Sequence, residues 1–234
     1  MSAAQHPPDD RVVAVWRVRL DPGDRAAELR GYLAADEIER LDRLARSEVG
    51  RRWLVSRAAL REILAADLGT SPSAVRLKLG LHGRPGLDPR AHDSDLAFNL
   101  SHSGDLALVA IARGMRVGVD VERPRDRDPL RVADRYFSAA EVAALRAYPP
   151  GDRPAAFLRY WTAKEALAKG MGLGLHIPMD ELELAQRPGG KMVPVRLDRD
   201  WRLVELTDLP DGYCGSLAVD GDAARIVMRD WRLS

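Results

Sequence analysis

Two short segments of this chain hold side chains that could do chemistry. From Val117 to Glu122 the residues alternate between apolar and acidic, Val-Gly-Val-Asp-Val-Glu. Period two is the signature of a half-buried strand. It puts Asp120 and Glu122 on one face and Val117, Val119 and Val121 on the other. Two carboxylates side by side repel each other and lose hydration, and a hard divalent cation with oxygen ligands relieves both problems. The second segment runs Trp161-Thr162-Ala163-Lys164-Glu165-Ala166-Leu167-Ala168-Lys169. As a helix it sets Glu165 and Lys169 one turn apart on one face. Each segment alone has a plainer reading: a solvated outer strand face, and an exposed ion pair worth roughly 0.2–0.5 kcal/mol. The loop Gly170-Met171-Gly172-Leu173-Gly174-Leu175 weighs against the plain reading of the second, because alternate glycines let a ligand or another chain come close.

Further candidates are less specific. Ser101-His102-Ser103-Gly104 has the composition of a turn. A Ser-His pair also suggests a hydrolase nucleophile, but no nucleophile elbow accompanies it; hydrogen bonding to phosphate oxygens is the more natural use. In Gly83-Arg84-Pro85 the arginine is either solvated or a phosphate clamp held by its neighbours. Arg57 carries the same two readings, inside an arginine-rich helical segment rather than at a frayed end. No P-loop, dinucleotide glycine fingerprint or zinc-ligand spacing is present.

These residues need elements to position them. Val12 to Leu20 is β-rich and ends at Asp21-Pro22-Gly23. Ala34 to Arg46 and Arg51 to Leu68 show helical spacing, the second stopped by Gly69. Val75 to Leu79 leads into the turn-rich His82 to Gly86. Leu96 to Leu100, Leu106 to Ala112 and Val117 to Glu122 are strands joined by short turns, which predicts an antiparallel meander. Arg123 to Pro129 is charged and proline-bearing, a linker by composition. Ser138-Ala139-Ala140-Glu141 is a capping box that should start a helix. A longer helix is expected from Pro154 to Lys169, with Gly170 stopping it. Strands are expected at Lys191 to Leu197, Trp201 to Thr207, Tyr213 to Val219 and Arg225 to Trp231. The division that follows is an N-terminal α+β subdomain over residues 1–122, a linker over 123–131 and a C-terminal α+β subdomain over 132–234. Gly104 to Ala110 faintly resembles Gly212 to Val219, which fits two related subdomains with a ligand cleft between them.

Composition bounds the class. The chain has 234 residues, 46% hydrophobic, enough for a substantial core. It carries 36 basic and 35 acidic residues, a net charge of +1, which does not suggest a general nucleic-acid binder. One cysteine, Cys214, cannot form an internal disulfide. No apolar run approaches the ~20 residues of a membrane span. The N-terminus, with His6 to Asp10, lacks a signal pattern and is expected to be a disordered lead-in. A cytoplasmic setting is the default expectation.

Taken together, these pieces resemble the Sfp-type 4′-phosphopantetheinyl transferases. The family's Gly-x-Asp-x-Glu strand is matched by Gly118 to Glu122. Its Trp-x-x-Lys-Glu-x-x-x-Lys helix is matched by Trp161, Lys164, Glu165 and Lys169. Ser101-His102 and Gly83 to Pro85 match its Ser-His segment and its basic Gly-Lys/Arg-Pro loop. The order and spacing of the motifs make the signal specific. The resemblance implies an α+β fold of two pseudo-twofold subdomains with coenzyme A in the cleft. It implies transfer of the phosphopantetheine arm from coenzyme A to a serine of an apo acyl or peptidyl carrier protein, by a monomer, with adenosine 3′,5′-bisphosphate released. Mg²⁺ would be held by Asp120, Glu122 and Glu165. Glu165 would also accept the serine proton, Lys169 would assist the leaving group, Ser101 and His102 would bind coenzyme A phosphates, and Arg57 and Arg84 its 3′-phosphate. The role of Lys164 stays open between the site and support of its helix. Met171 to Leu175, with Ile177, would meet the carrier. The alternatives are a Mg²⁺-dependent nucleotide phosphohydrolase and a non-catalytic module that binds coenzyme A or a carrier.

Overall fold

The computed structural model describes residues 12–44, 47–80, 85–172, 178–195, 197, 200–221 and 225–232. Its strands are β1 (Val12–Arg19), β2 (Leu77–Leu79), β3 (Pro85–Leu87), β4 (Leu96–Ser103), β5 (Leu106–Arg113), β6 (Val117–Glu122), β7 (Leu184–Gln186), β8 (Met192–Pro194), β9 (Trp201–Glu205), β10 (Cys214–Asp220) and β11 (Arg225–Asp230). Its helices are α1 (Ala26–Arg30), α2 (Ala35–Arg43), α3 (Glu48–Leu68), α4 (Pro129–Tyr136), α5 (Ala139–Ala147) and α6 (Arg153–Met171). The fold is a mixed α+β arrangement of small, mostly antiparallel sheets and helices.

Two sheets form the middle of the molecule. One has the order β11-β1-β5-β4 and the other β6-β10-β9. Leu108, Ala110 and Val13 of the first face Val117, Val119, Val121 and Leu217 of the second across a shared apolar layer. On its outer side the first sheet packs on α3 through Ala107, Val109, Ile111 and Phe98. The second sheet is covered by α6 through Ala163, Ala166 and Leu167. The order of layers is therefore helix, sheet, sheet, helix. The chain's end returns to its beginning: β11 pairs in parallel with β1, and the Trp231 indole N–H donates to Glu62 on α3 at 2.7 Å.

The helix ends follow their local chemistry. Ser47 caps α3 by accepting the Gly50 N–H, and Gly69 closes it in the left-handed region at φ 65°. Ser138 and Glu141 form the expected capping box on α5. Buried Glu37 on α2 is held by Arg57 and Arg61 of α3, an ion-pair cluster that locks those two helices.

Three expectations change. Val117 to Glu122 does not complete a meander. β6 pairs with β10, Val117 opposite Val219 and Glu122 opposite Cys214. β5 is apolar on both faces and buried from Leu106 to Ala112, so it needs a cover on each side. The valine face of β6 supplies one by packing across β5 rather than beside it. The expected boundary at residue 122 therefore does not follow the sheets: β6 belongs with β9 and β10, β11 belongs with β1, and Pro129 already starts α4 inside the expected linker. Finally, Gly170 does not stop α6. The helix runs to Met171, and Gly172 takes the left-handed cap at φ 77°. The N-terminal lead-in, Arg84 and residues 173–177 of the glycine-spaced loop lie outside the described residues. Among the described residues no helix is long and apolar enough to cross a membrane.

Candidate active site

Two glycines bring the chemistry-bearing strand and helix together. A methyl group at Gly118 on β6 would lie 2.0 Å from the Ala166 carbonyl oxygen and 2.3 Å from the Gly170 nitrogen on α6. One at Gly170 would lie 2.6 Å from the Trp201 ring. Only bare backbone allows this approach. It sets the face of β6 bearing Asp120 and Glu122 against the turn of α6 bearing Glu165 and Lys169.

Asp120 is the centre of the cluster, at 3% exposure. Its Oδ1 accepts from Lys169 Nζ at 2.6 Å and from the Ser101 hydroxyl at 2.7 Å. Its Oδ2 is buried with no hydrogen-bond partner among the described residues, an acceptor that a cation would satisfy. Lys169 Nζ also donates to Ser101 Oγ at 3.0 Å. Glu122 lies nearer the surface. One of its oxygens accepts from the Ser103 hydroxyl at 2.7 Å and from Arg125 at 3.3 Å.

Glu165 is the most perturbed acid. Its pKa is pushed up from 4.5 to about 7, first by burial and then by the charge on Asp120, with Lys169 opposing and Glu122 adding to the rise. The three sequence-named acids therefore share one field. They are not gathered as a ready-made cage, since among the described residues no three His, Cys, Asp or Glu side chains are grouped to hold a metal. Mg²⁺ asks for less, usually taking one or two carboxylates and filling the rest with water and substrate phosphates. The donor chemistry and the unpartnered Oδ2 fit such an ion.

The other named residues are spread more widely. Ser101 joins the cluster. His102, its neighbour on β4, is turned to the opposite face. The residue is exposed, yet partial desolvation of its ring, followed by the Lys169 charge, lowers its pKa. Arg57 has its Nε on Glu37. Lys164 is fully buried and is held by both carboxylate oxygens of Glu141, at 2.6 and 2.5 Å, rather than by the acid pair.

An open groove of about 1040 Å³ starts at Glu122 and Glu165 and runs along α4. Arg123, Arg125, Arg131 and Arg135 supply positive charge, and Tyr136 and Trp161 supply aromatic wall. Arg123, Arg125 and Arg131 sit in the stretch taken from sequence as linker and Arg135 lies just beyond it; the charges were visible there, but not that they line a groove. Sequence reasoning left Asn99 unmentioned and read Ser103 as part of a turn, whereas it is the last residue of β4. Their two-residue spacing with Ser101 was the available signal.

The chain matches two sequence families. Residues 116–218 match the 4′-phosphopantetheinyl transferase superfamily, and residues 24–113 match the 4′-phosphopantetheinyl transferase N-terminal family. Among named relatives, the 4′-phosphopantetheinyl transferase HetI of Nostoc sp. is 37% identical over 214 residues, covering 89% of this chain and 88% of that one. The 4′-phosphopantetheinyl transferase Sfp of Bacillus subtilis is 26% identical, covering 69% of this chain and 70% of its own. Among solved structures, a holo-(acyl-carrier-protein) synthase from Bacillus anthracis in complex with coenzyme A (3′,5′-ADP) aligns with a TM-score of 0.40 and 15% identity, over 44% of this chain and 93% of its own. The holo-[acyl-carrier-protein] synthase of Thermotoga maritima aligns with a TM-score of 0.38 and 21% identity, over 45% of this chain and 62% of its own.

Proposed function

The chain belongs to the 4′-phosphopantetheinyl transferase superfamily, and from that premise we propose that it moves the phosphopantetheine arm of coenzyme A onto a serine of an apo acyl or peptidyl carrier protein, releasing adenosine 3′,5′-bisphosphate. The observation that carries this reading is the Lys169–Asp120 pair beside a Glu165 carboxyl whose pKa is about 7. The proposal includes action as a monomer in the cytoplasm.

Asp120, Glu122 and Glu165 are the residues proposed to hold Mg²⁺, supported by the orphaned Asp120 Oδ2. When bound there, the ion would neutralise charge on the diphosphate oxygens. Glu165 accepts the serine proton; a base with a pKa near the working pH combines availability with driving force. The serine oxygen forms a bond to the phosphorus that carries pantetheine. The bond from that phosphorus to the bridging oxygen breaks, and its electron pair leaves on the bisphosphate. Lys169 is the cation assigned to that new charge. His102 is proposed for a phosphate of coenzyme A, and Ser101 can reach one only through its backbone while its hydroxyl serves Asp120. Arg84 and Arg57 are proposed for the 3′-phosphate, Arg57 through the guanidinium nitrogens not on Glu37. The arginine-lined groove suits the phosphates or an acidic face of the carrier.

Incubation with coenzyme A, Mg²⁺ and several apo carriers, followed by intact-mass measurement, tests the reading. A gain of one phosphopantetheine arm on a carrier is the expected result. Bisphosphate release with no gain on any carrier would identify a phosphohydrolase. Coenzyme A binding with neither outcome would leave a binding module.

A further inference from the structure

Strand β4 presents three side chains to β6 at two-residue spacing. Asn99 Oδ1 accepts the Val119 N–H at 2.8 Å, Ser101 Oγ the Val121 N–H at 3.4 Å and Ser103 Oγ the Arg123 N–H at 3.3 Å. β6 is an edge strand of its sheet and β4 an edge strand of the other. On that side the side chains of β4 take the Val119, Val121 and Arg123 N–H groups in place of a neighbouring strand.

Both hydroxyls also donate their proton, and Ser101 Oγ accepts from Lys169 as well. Ser101 Oγ donates to Asp120 Oδ1 and Ser103 Oγ donates to Glu122 Oε2, both at 2.7 Å. A hydroxyl has one proton and two lone pairs. Here the proton goes to a carboxylate, and a lone pair takes the N–H of the next residue. Each acid and the backbone beside it are thus tied to a single oxygen atom. Both serines are buried, at 6% and 4% exposure, and both come from the sheet that does not contain the acids.

We propose that Ser101 and Ser103 are positioning residues for the acid pair. They turn one oxygen of Asp120 and one of Glu122 toward β4 and leave the other oxygen of each for a divalent cation. The N-terminal sheet thereby sets the cation affinity of acids that belong to the C-terminal sheet. The inference deepens the function proposed above and rests on its metal-binding part. Asn99 bonds to backbone in the same row and, among the described residues, to no carboxylate, which makes it an internal control.

Mn²⁺ binding followed by electron paramagnetic resonance, without coenzyme A or carrier, tests it. Ser103→Ala is expected to weaken Mn²⁺ about 10–100-fold, the usual effect of losing a hydrogen-bond partner behind a metal ligand. Turnover should fall at low Mn²⁺ and recover with excess, with KM for coenzyme A unchanged. Ser103→Thr keeps the hydroxyl and should restore affinity. Asn99→Ala should lower the melting temperature and leave Mn²⁺ affinity unchanged. If Ser103→Ala does not fold, the near-isosteric Ser103→Cys, a weaker donor, gives the same readout. Unchanged Mn²⁺ affinity in the Ser103 variants, or an equal loss in Asn99→Ala, overturns the positioning role and reduces the serines to a seam between sheets. A wild-type protein that binds no Mn²⁺ overturns the metal reading itself.

Discussion

Lys169 Nζ lies 2.6 Å from Asp120 Oδ1, an ion pair between helix α6 and strand β6 at the centre of the acid cluster. An ammonium there already neutralises the carboxylate that a metal ion would use. Lys169→Met should therefore bind Mn²⁺ more tightly than the wild type. It should also turn over about 10²–10³-fold more slowly, the range for losing a group that stabilises developing charge. A metal titration and a kcat measurement on the same variant check both parts. Weaker metal binding in Lys169→Met would show that the lysine does not compete with the cation.

Glu165 makes pH a second probe. Its folded pKa of about 7 exceeds its ordinary 4.5, so between those values the folded protein holds the extra proton. Its contribution to stability is thus fully present below about 4.5 and is lost as pH rises through about 7. A bound cation favours the charged carboxylate, so metal binding at pH 6 should release most of a proton from this group and at pH 8 very little. Calorimetry in two buffers of different ionisation enthalpy measures that difference. With Mg²⁺ bound, the acidic limb of turnover should lie below pH 7 and move lower as Mg²⁺ is raised, and Glu165→Gln should lose that limb along with most of the rate.

Gly118 bears on the spacing of β6 and α6. Its missing methyl would collide with backbone of α6, which cannot swing aside as a side chain can. Gly118→Ala should cost about 1–3 kcal/mol or more of stability and should reduce turnover more than the loss of folded protein explains. Urea denaturation alongside kcat on the folded fraction separates the two. Normal turnover would mean that the strand–helix distance is not critical.

Lys164 and Glu141 form a different kind of pair, fully enclosed and far from solvent. Desolvation lowers the lysine pKa and Glu141 opposes the shift, while the Phe137 ring lies 5.0 Å away. Glu141 also accepts the Ser138 and Leu184 N–H groups at 2.8 and 2.9 Å. Lys164→Met leaves a buried carboxylate unpaired and should cost about 3–5 kcal/mol. Adding Glu141→Leu should recover part of that loss but not the cap, worth about 1 kcal/mol. Chemical denaturation of the single and double variants checks this. An additive double loss would show that the two side chains act independently.

Much of the molecule was legible along the chain. Period two placed Asp120 and Glu122 together and the valines opposite, and they face as expected because a strand's alternation is a property of the backbone alone. The capping box at Ser138 and the left-handed stop at Gly69 are equally local. The glycines at 118 and 170 were visible as letters, but nothing local showed what each faces, and Gly170 read as a helix stop. Both make room for another piece of the same protein.

What sequence determined by itself was the set of reactive groups and the elements that carry them, since those depend on neighbours within a turn or two. Tertiary structure alone decided that β6 leaves the β4–β5 hairpin for the other sheet, that Lys164 belongs to Glu141 rather than to the acid cluster, and that Ser103 belongs to Glu122. The two side-chain pairs lie 19 and 23 residues apart along the chain, and β6 lies much farther from β10. No local period links them, because they meet only when two apolar layers close on each other and the polar edges left over must find one another.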